Sequence, residues 1–222
     1  MNIKKSIYAI IAVFLMSGAN VGAQTNVGIT LSGIGYEASG SETVKSSGTI
    51  NDYSENGLAA LASIFIEKEV DNGVVVGLDI VPYGQTIADG GMEQNDDAET
   101  SGTNTVDVKF NRMLTVYAEI PAGDGYMKVG GGLLTIETDE EMNTGSTYGD
   151  EDTQTILIGF GKRGELDNGG TWKAEAIYQR ILGTTFDASK GGNAVGDASV
   201  FNKITLDDVD TVQFRFSVAK SF

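Results

Sequence analysis

Apolar and polar residues alternate with a period of two in segment after segment of this chain. The last segment shows this best, with apolar side chains on one parity and polar side chains on the other: Val212, Phe214, Phe216 and Val218 against Gln213, Arg215 and Ser217. Because successive side chains of a β-strand point to opposite faces, the alternation predicts strands with one apolar and one polar face. Eight segments qualify, near residues 26–37, 58–70, 74–83, 105–120, 126–137, 153–165, 171–182 and 209–222. In two stretches, 59–69 and 126–136, apolar residues occupy both parities, and the facing stays open.

The connections between these segments alternate strictly between short and long. The short ones, near residues 71–73, 121–125 and 167–170, are rich in glycine, asparagine and aspartate, which favour the positive φ angles of tight hairpins. The long polar ones cover residues 38–57, 84–104, 138–152 and 183–208. Membrane barrels have short turns on the periplasmic side and long loops on the extracellular side. The pattern therefore predicts an all-β fold, a closed antiparallel up-and-down transmembrane β-barrel of eight strands.

The N-terminal segment has the composition of a secretory signal peptide. Lys4 and Lys5 precede an apolar run at residues 7–16, and small residues lead up to Ala23. A helix needs about 20 apolar residues to cross a bilayer, and neither this run nor any later one is that long. We expect cleavage after Ala23, export to the outer membrane, and a barrel domain over residues 24–222.

The composition is acidic and lacks two chemically active residue types. Thirty-one acidic side chains against 15 basic ones give a net charge of −16. Proteins that bind nucleic acid carry basic patches, so nucleic acid is excluded as a partner. The chain has no cysteine and no histidine, and therefore neither a disulfide framework nor the commonest general base. We expect no enzymatic activity, no cofactor and no dedicated metal site.

The polar faces of the predicted strands carry charges of both signs, which indicates a charged barrel interior. On the predicted facing, the lumen holds five acids and five bases: Glu67, Asp79, Asp107, Glu119 and Glu175 with Lys109, Lys128, Arg163, Lys173 and Arg215. The interior of an eight-stranded barrel is just wide enough for side chains to fill it. The favoured interpretation is a salt-bridged plug. A narrow channel for small solutes or ions is one alternative, and a soluble periplasmic carrier of the lipocalin type is another.

The apolar faces carry residues typical of a membrane interface. Trp172 and Tyr178 are placed as members of an aromatic girdle. Arg112 and Arg180 fall on the same faces, about eight residues from the short turns, where a guanidinium suits lipid or lipopolysaccharide phosphates. The predicted loops hold most of the acidic excess, and their carboxylates are candidate contacts for divalent cations, although no known calcium-loop spacing is present.

The C-terminal segment resembles the last strand of outer-membrane β-barrel proteins. In that family, this strand alternates aromatic and apolar residues and ends on phenylalanine, a pattern carried here by Phe214, Phe216, Val218 and Phe222. Lys220 departs from the usual apolar type at its position. The organisation is most similar to small eight-stranded members such as the OmpA transmembrane domain, OmpX and the opacity proteins.

The resemblance implies that the barrel-assembly machinery recognises the C-terminal strand. Because the chain ends with this strand, we expect no peptidoglycan-binding domain after it. The sequence thus favours an outer-membrane barrel with a structural or surface-interaction role.

Overall fold

The computed structural model of the chain describes residues 25–44, 48–94, 102–141, 148–167, 169–187 and 203–222. The predicted signal peptide and its cleavage site after Ala23 lie outside the described residues. No helix within the described ranges is long and apolar enough to cross a membrane. The described strands are β1 (Thr25–Val44), β2 (Thr49–Glu69), β3 (Val75–Val81), β4 (Gln85–Gln94), β5 (Gly102–Ala122), β6 (Gly125–Glu141), β7 (Glu151–Glu165), β8 (Gly170–Ile181), β9 (Thr184–Asp187), β10 (Lys203–Leu206) and β11 (Val209–Ser221).

These strands form a closed antiparallel barrel with eight positions around its wall. The order is β11-β8-β7-β6-β5-β3-β2-β1, and β1 pairs again with β11, which closes the sheet. β4 continues β3 along β5, while β9 pairs with β10 and β10 pairs with β1. Closure satisfies backbone hydrogen bonds around the wall. The predicted fold class, with up-and-down antiparallel neighbours, is confirmed.

The short connections adopt the positive φ angles that their residues favour. Asn72 has φ 65° and Gly73 has φ 74° in the turn between β2 and β3. Gly123 (φ 59°) and Gly169 (φ 76°) serve the two other short turns. All three turns lie at the same end of the barrel because the strands alternate in direction.

The predicted long loops are partly strand, which corrects the sequence analysis. The β1–β2 hairpin is paired from Thr25↔Lys68 as far as Val44↔Thr49, so most of the predicted 38–57 loop is sheet. β4 and the start of β5 pair through the predicted 84–104 loop, and β9 pairs with β10 inside 183–208. These extensions lack the apolar alternation of the barrel strands. Backbone pairing there is supplemented by side-chain contacts, such as the hydrogen bond from Asn51 to Glu42 and the packing of Phe186 and Ile204.

The two stretches with open facing have definite orientations. Phe65 and Glu67 of β2 are buried in the lumen, whereas Ile64 lies on the outer surface. In β6, Leu134 and Ile136 point inward and Met127 is exposed. Their parities were ambiguous because the lumen holds apolar side chains as well as charged ones.

The apolar part of the interior lies at the end opposite the short turns. We call this cluster the apolar layer: Leu134, Ile136, Tyr148, Ile181, Phe186 and Val209. We call this end of the barrel the upper end. Side chains of β1, β5 and β10 at the upper end pack against the apolar layer. The apolar layer lies between the lower lumen, near the short turns, and the strand extensions at the other end.

Candidate functional site

The barrel is apolar outside and charged inside, the reverse of a soluble protein. On the outer surface, the side chains of Leu31, Phe160 and Phe214 are 64%, 70% and 70% exposed. In the lumen, Glu119 and Lys128 are 0% and 1% exposed. Such an outer surface requires a hydrocarbon solvent rather than water. The alternative of a soluble carrier with an apolar lumen is therefore wrong, and the membrane-barrel interpretation is confirmed.

The charged lumen residues form one connected group in the half of the barrel near the short turns. We call this group the charge layer: Glu67, Asp79, Glu119, Lys128, Arg163, Lys173, Glu175 and Arg215. These side chains come from β2, β3, β5, β6, β7, β8 and β11. With four acids and four bases, the layer is formally neutral.

Glu119 is the centre of the charge layer. Its carboxylate lies 3.0 Å from the Nζ of Lys173 and 3.3 Å from the Nζ of Lys128. Its other oxygen accepts a hydrogen bond of 2.6 Å from Arg163. Lys173 also donates to Glu67 at 2.6 Å, which extends the group to β2. Each buried cation therefore has carboxylate partners, as charges removed from water require.

A second branch of the charge layer leads from Lys128 to β3. Lys128 donates to Glu175 at 2.8 Å, and the second oxygen of Glu175 lies 3.6 Å from the Nε of Arg215. Arg215 in turn donates to Asp79, which also accepts a hydrogen bond from Ser63. The salt bridges thus continue across the lumen without a break.

Two tyrosines complete the layer, and sequence reasoning missed both. The Tyr117 hydroxyl donates to Glu67 at 3.0 Å, and the Tyr126 hydroxyl donates to Glu175 at 3.0 Å. The ring of Tyr117 also lies 3.8 Å from the Nζ of Lys128, a cation–π distance. Gly77 makes room for Tyr117, because a Cβ at residue 77 would come within 2.2 Å of that ring. An inward-facing tyrosine beside a glycine on the neighbouring strand is the signal that could have revealed the pair.

Of the predicted lumen residues whose side chains the structure describes, Lys109 alone lies outside the charge layer. Lys109 pairs with Asp139, a carboxylate whose side chain is 69% exposed. A β-bulge between Phe110 and Met113 shifts the register of β5 against β6. Below the bulge the odd residues of β5 face the lumen, and above it they face outward, so the prediction for Lys109 was wrong.

Asp107 shares the parity of Lys109 and lies opposite Asp139 in the β5–β6 register. The side chain of Asp107 itself lies outside the described residues.

The charge layer meets solvent mainly at the short-turn mouth. The Arg163 side chain is 30% exposed, whereas the acidic partner Glu119 is fully buried. Toward the other end, the apolar layer covers the lumen. The charge layer is thus formally neutral and is in contact with water at one edge.

The four predicted interface residues lie on the outer parity of their strands. Tyr178 is exposed and Trp172 is half-buried on β8. Arg180 forms two hydrogen bonds with Asp210, of 2.7 and 2.9 Å, so its guanidinium is held by a protein carboxylate. Arg112 is exposed at the β5 bulge.

The C-terminal residues also face outward. Phe214, Phe216 and Val218 are 70%, 54% and 37% exposed on β11. Phe222 is exposed, and its backbone N–H donates to the carbonyl of Thr25 at 2.9 Å. The last strand, β11, is therefore hydrogen-bonded to β1 up to the C-terminus, and its aromatic side chains lie on the outer surface.

The acidic segments show no cation site in the part of the chain that the structure describes. Groups of three or more potential ligands do not converge there. The acidic residues at 96, 97 and 99 fall outside the described ranges, and the side chains at 93, 140 and 141 are not described either.

Comparison with known proteins finds likeness only among solved structures. No family model matches the chain, and no curated protein matches it. The chain is similar to Ail, the attachment invasion locus protein of Yersinia pestis, solved with the heparin analogue sucrose octasulfate, at 13% identity over 88% of this chain and 99% of that one (TM-score 0.36). It is similar to the outer membrane protease OmpT from Escherichia coli at 8% identity over 92% and 99% of the two chains (TM-score 0.46). It is also similar to the outer membrane protein OprG from Pseudomonas aeruginosa at 14% identity over 86% and 95% (TM-score 0.44).

Proposed function

We propose that this protein is an outer-membrane β-barrel with a structural or surface-interaction role, and that its lumen does not conduct. The observation that carries the proposal is the charge layer, whose four acids and four bases neutralise one another across the lumen. A solute that crosses the barrel would have to separate these pairs. It would also have to pass the apolar layer above them.

In this proposal, the strand extensions of β1–β2, β4–β5 and β9–β10 make the contacts with the environment of the cell. They extend beyond the apolar outer surface and carry exposed acidic side chains, including Asp52 and Glu55 on β2 and Asp187 on β9. Exposed carboxylates favour contact with basic partners or divalent cations. Nothing in this role requires an enzymatic group.

The proposal also includes the export of the chain and its assembly into the membrane. The N-terminal segment acts as a cleaved signal peptide, and the outward-facing Phe214 and Phe216 with the terminal Phe222 act as the signal for the barrel-assembly machinery. In the membrane, Arg112 and the girdle residues contact lipid and lipopolysaccharide. The exposure of Phe214, Phe216 and Phe222 supports their role as an assembly signal. The exposure of Arg112 supports its contact with lipid.

Single-channel conductance in planar bilayers tests the closed lumen. We expect the folded barrel to remain electrically silent at two salt concentrations and both polarities. Heat-modifiable gel migration beforehand shows that the barrel is folded. Reproducible, salt-dependent openings that change in Glu175→Ala but not in Lys109→Ala would contradict the proposal and favour the narrow-channel alternative. Lys109 is the matched control because it lies outside the charge layer.

A further inference from the structure

Two lysines flank Trp172 on the outer surface of the barrel, close to the short turns. Lys162 lies on β7, Trp172 on β8 and Lys220 on β11, and these strands are neighbours in the wall. All three residues share the outward parity of the exposed apolar residues of their strands, and both lysine side chains are exposed. We call Lys162, Trp172 and Lys220 the basic row.

The basic row runs nearly parallel to the membrane. A line of paired residues that leaves β1 at Val27 returns to β1 at Glu37 after one circuit of the wall, so each step to the next strand climbs by about one residue. Trp172 lies one strand onward from Lys162 and two residues nearer the short turns, and Lys220 stands in the same relation to Trp172. The climb and the descent nearly cancel. Diagonal neighbours of this kind are about 7–8 Å apart, within reach of long side chains.

The indole of Trp172 lies across β7, beside Lys162. Gly164 is the register partner of Trp172 on β7, and a Cβ at residue 164 would come within 2.6 Å of the indole Nε1. The absent side chain leaves room for the ring on the face that also carries Lys162, two residues higher. At the other end of the row, the Nζ of Lys220 lies 5.6 Å from the centre of the Phe222 ring. An aromatic ring therefore lies next to each lysine.

The charges of the basic row are not neutralised within the described part of the chain. Lys109 and Lys203 each pair with an aspartate, whereas no described carboxylate forms a salt bridge with Lys162 or Lys220. The indole N–H of Trp172 likewise has no acceptor among the described residues. Three hydrogen-bond donors, two of them charged, thus lie in one band of the surface with their donor capacity unused.

The surface directly above the basic row is apolar. The side chains of Phe160 and Phe216 are 70% and 54% exposed, two residues above Lys162 and four above Lys220 on the same strands. Val218, which is 37% exposed, lies between them and the row. Hydrocarbon therefore begins at the upper side of the row, while the short turns below it lie in water. The row is at the height of the phospholipid headgroups.

We propose that the basic row binds an anionic phospholipid of the periplasmic leaflet, with its phosphates bound by Lys162 and Lys220 and its acyl chains along Phe160 and Phe216. The indole N–H of Trp172 donates to a phosphate or ester oxygen between the two lysines. Two cations on either side of one ring favour a lipid with two phosphates, such as cardiolipin, over a zwitterionic lipid, whose cationic group they repel. The inference rests on the proposed position in the outer membrane and goes beyond it, because it names a lipid class and its site.

Fluorescence quenching tests the proposal directly, because Trp172 is the single tryptophan of the chain. The folded barrel is reconstituted into phosphatidylcholine vesicles that contain brominated cardiolipin or brominated phosphatidylcholine at equal bromine content. Bromine quenches only a nearby indole, so the difference between the two curves reports which lipid contacts Trp172. We expect cardiolipin to be enriched there about tenfold over phosphatidylcholine. Equal quenching by the two lipids would overturn the proposal.

Three variants separate the basic row from the general effect of charge. Lys162→Gln and Lys220→Gln should each lower the enrichment of cardiolipin about fivefold, the effect of one lysine close to an anionic lipid surface. Lys203→Gln removes the same charge from β10, away from the short turns, and should leave the enrichment unchanged. Heat-modifiable gel migration shows that each variant is folded. An equal loss in all three variants, or no loss in the first two, would contradict the site.

A displaced reporter tests whether the preference is local. Ile80 is 41% exposed on β3, the strand opposite β8 in the wall. In the double variant Trp172→Phe, Ile80→Trp, we expect brominated cardiolipin and brominated phosphatidylcholine to quench equally. The same preference for cardiolipin at residue 80 would mean that this lipid surrounds the whole barrel, and it would overturn the basic row as the binding site.

Failure of this inference is distinguishable from failure of the proposed function. An electrically silent barrel that the two brominated lipids quench equally contradicts the lipid site alone. A conducting barrel with cardiolipin enriched at Trp172 contradicts the closed lumen alone.

Discussion

The charge layer and the apolar layer lie in the same lumen, but salt bridges stabilise the first and apolar packing stabilises the second. In the charge layer, Glu119 and Lys128 are buried as salt-bridged partners, and apolar side chains of the same strands face lipid. In the apolar layer, Leu134 and Ile136 face inward like the core of a soluble protein. The difference shows that the surroundings of the barrel change along its axis. Where the outer surface contacts hydrocarbon, the inward-facing side chains are polar. Where the strands extend toward water, the inward-facing side chains are apolar.

The largest expected effect comes from breaking the charge layer at its centre. Glu119→Ala leaves Lys173, Lys128 and Arg163 without their shared carboxylate, and breaking a buried ion pair costs about 3–5 kcal/mol. Denaturant unfolding in lipid vesicles measures the loss. Lys109→Ala is the control, and we expect it to change stability by less than about 0.5 kcal/mol. Equal losses in the two variants would contradict the assignment of the charge layer.

The apolar layer should respond to the loss of volume rather than of charge. Leu134→Ala creates a cavity in a packed region, and we expect it to destabilise the barrel by about 3 kcal/mol in the same unfolding experiment. Leu31→Ala, on the outer surface, should cost less because lipid fills the vacated space. A larger loss for Leu31→Ala would show that the upper lumen is not packed as a core.

A smaller effect should come from the glycines that make room for rings in the charge layer. A Cβ at Gly77 would lie 2.2 Å from the ring of Tyr117, whereas a Cβ at Gly33 would meet nothing within 4 Å. Gly77→Ala should therefore destabilise the barrel by about 1–3 kcal/mol through overpacking, and Gly33→Ala should be close to neutral. If the two variants unfold at the same denaturant concentration, Tyr117 is not fixed against β3.

The lower barrel could be predicted from the sequence because one rule applies throughout it. Alternation identified the outward faces of β1, β7 and β11, since hydrocarbon outside and paired charges inside leave few exceptions. The predicted lumen set included every residue of the charge layer, although the parity around Glu67 and Lys128 was ambiguous. Phe65 and Tyr126 blurred the pattern because they point inward among the charges. Their positions depend on glycines of neighbouring strands, which one strand considered by itself does not reveal.

The upper barrel could not be predicted in the same way. A bulge of one residue after Phe110 inverts the facing of β5, and the sequence around it carries no glycine or proline to mark it. That inversion moved Lys109 out of the lumen. The hairpin extensions were also missed, because their residues do not alternate regularly between apolar and polar types.

The closed lumen is the central claim, and the accessibility of a cysteine beside the apolar layer tests it most directly. The chain has no cysteine, so single substitutions report on one site each. Thr155 is 2% exposed and lies in register with Ile181 of the apolar layer, and Asp124 is exposed in a short turn. With a charged, membrane-impermeant maleimide, we expect Thr155→Cys to stay unlabelled in the folded barrel and to react after unfolding, while Asp124→Cys reacts in both states. Rapid labelling of Thr155→Cys in the folded barrel would contradict the account.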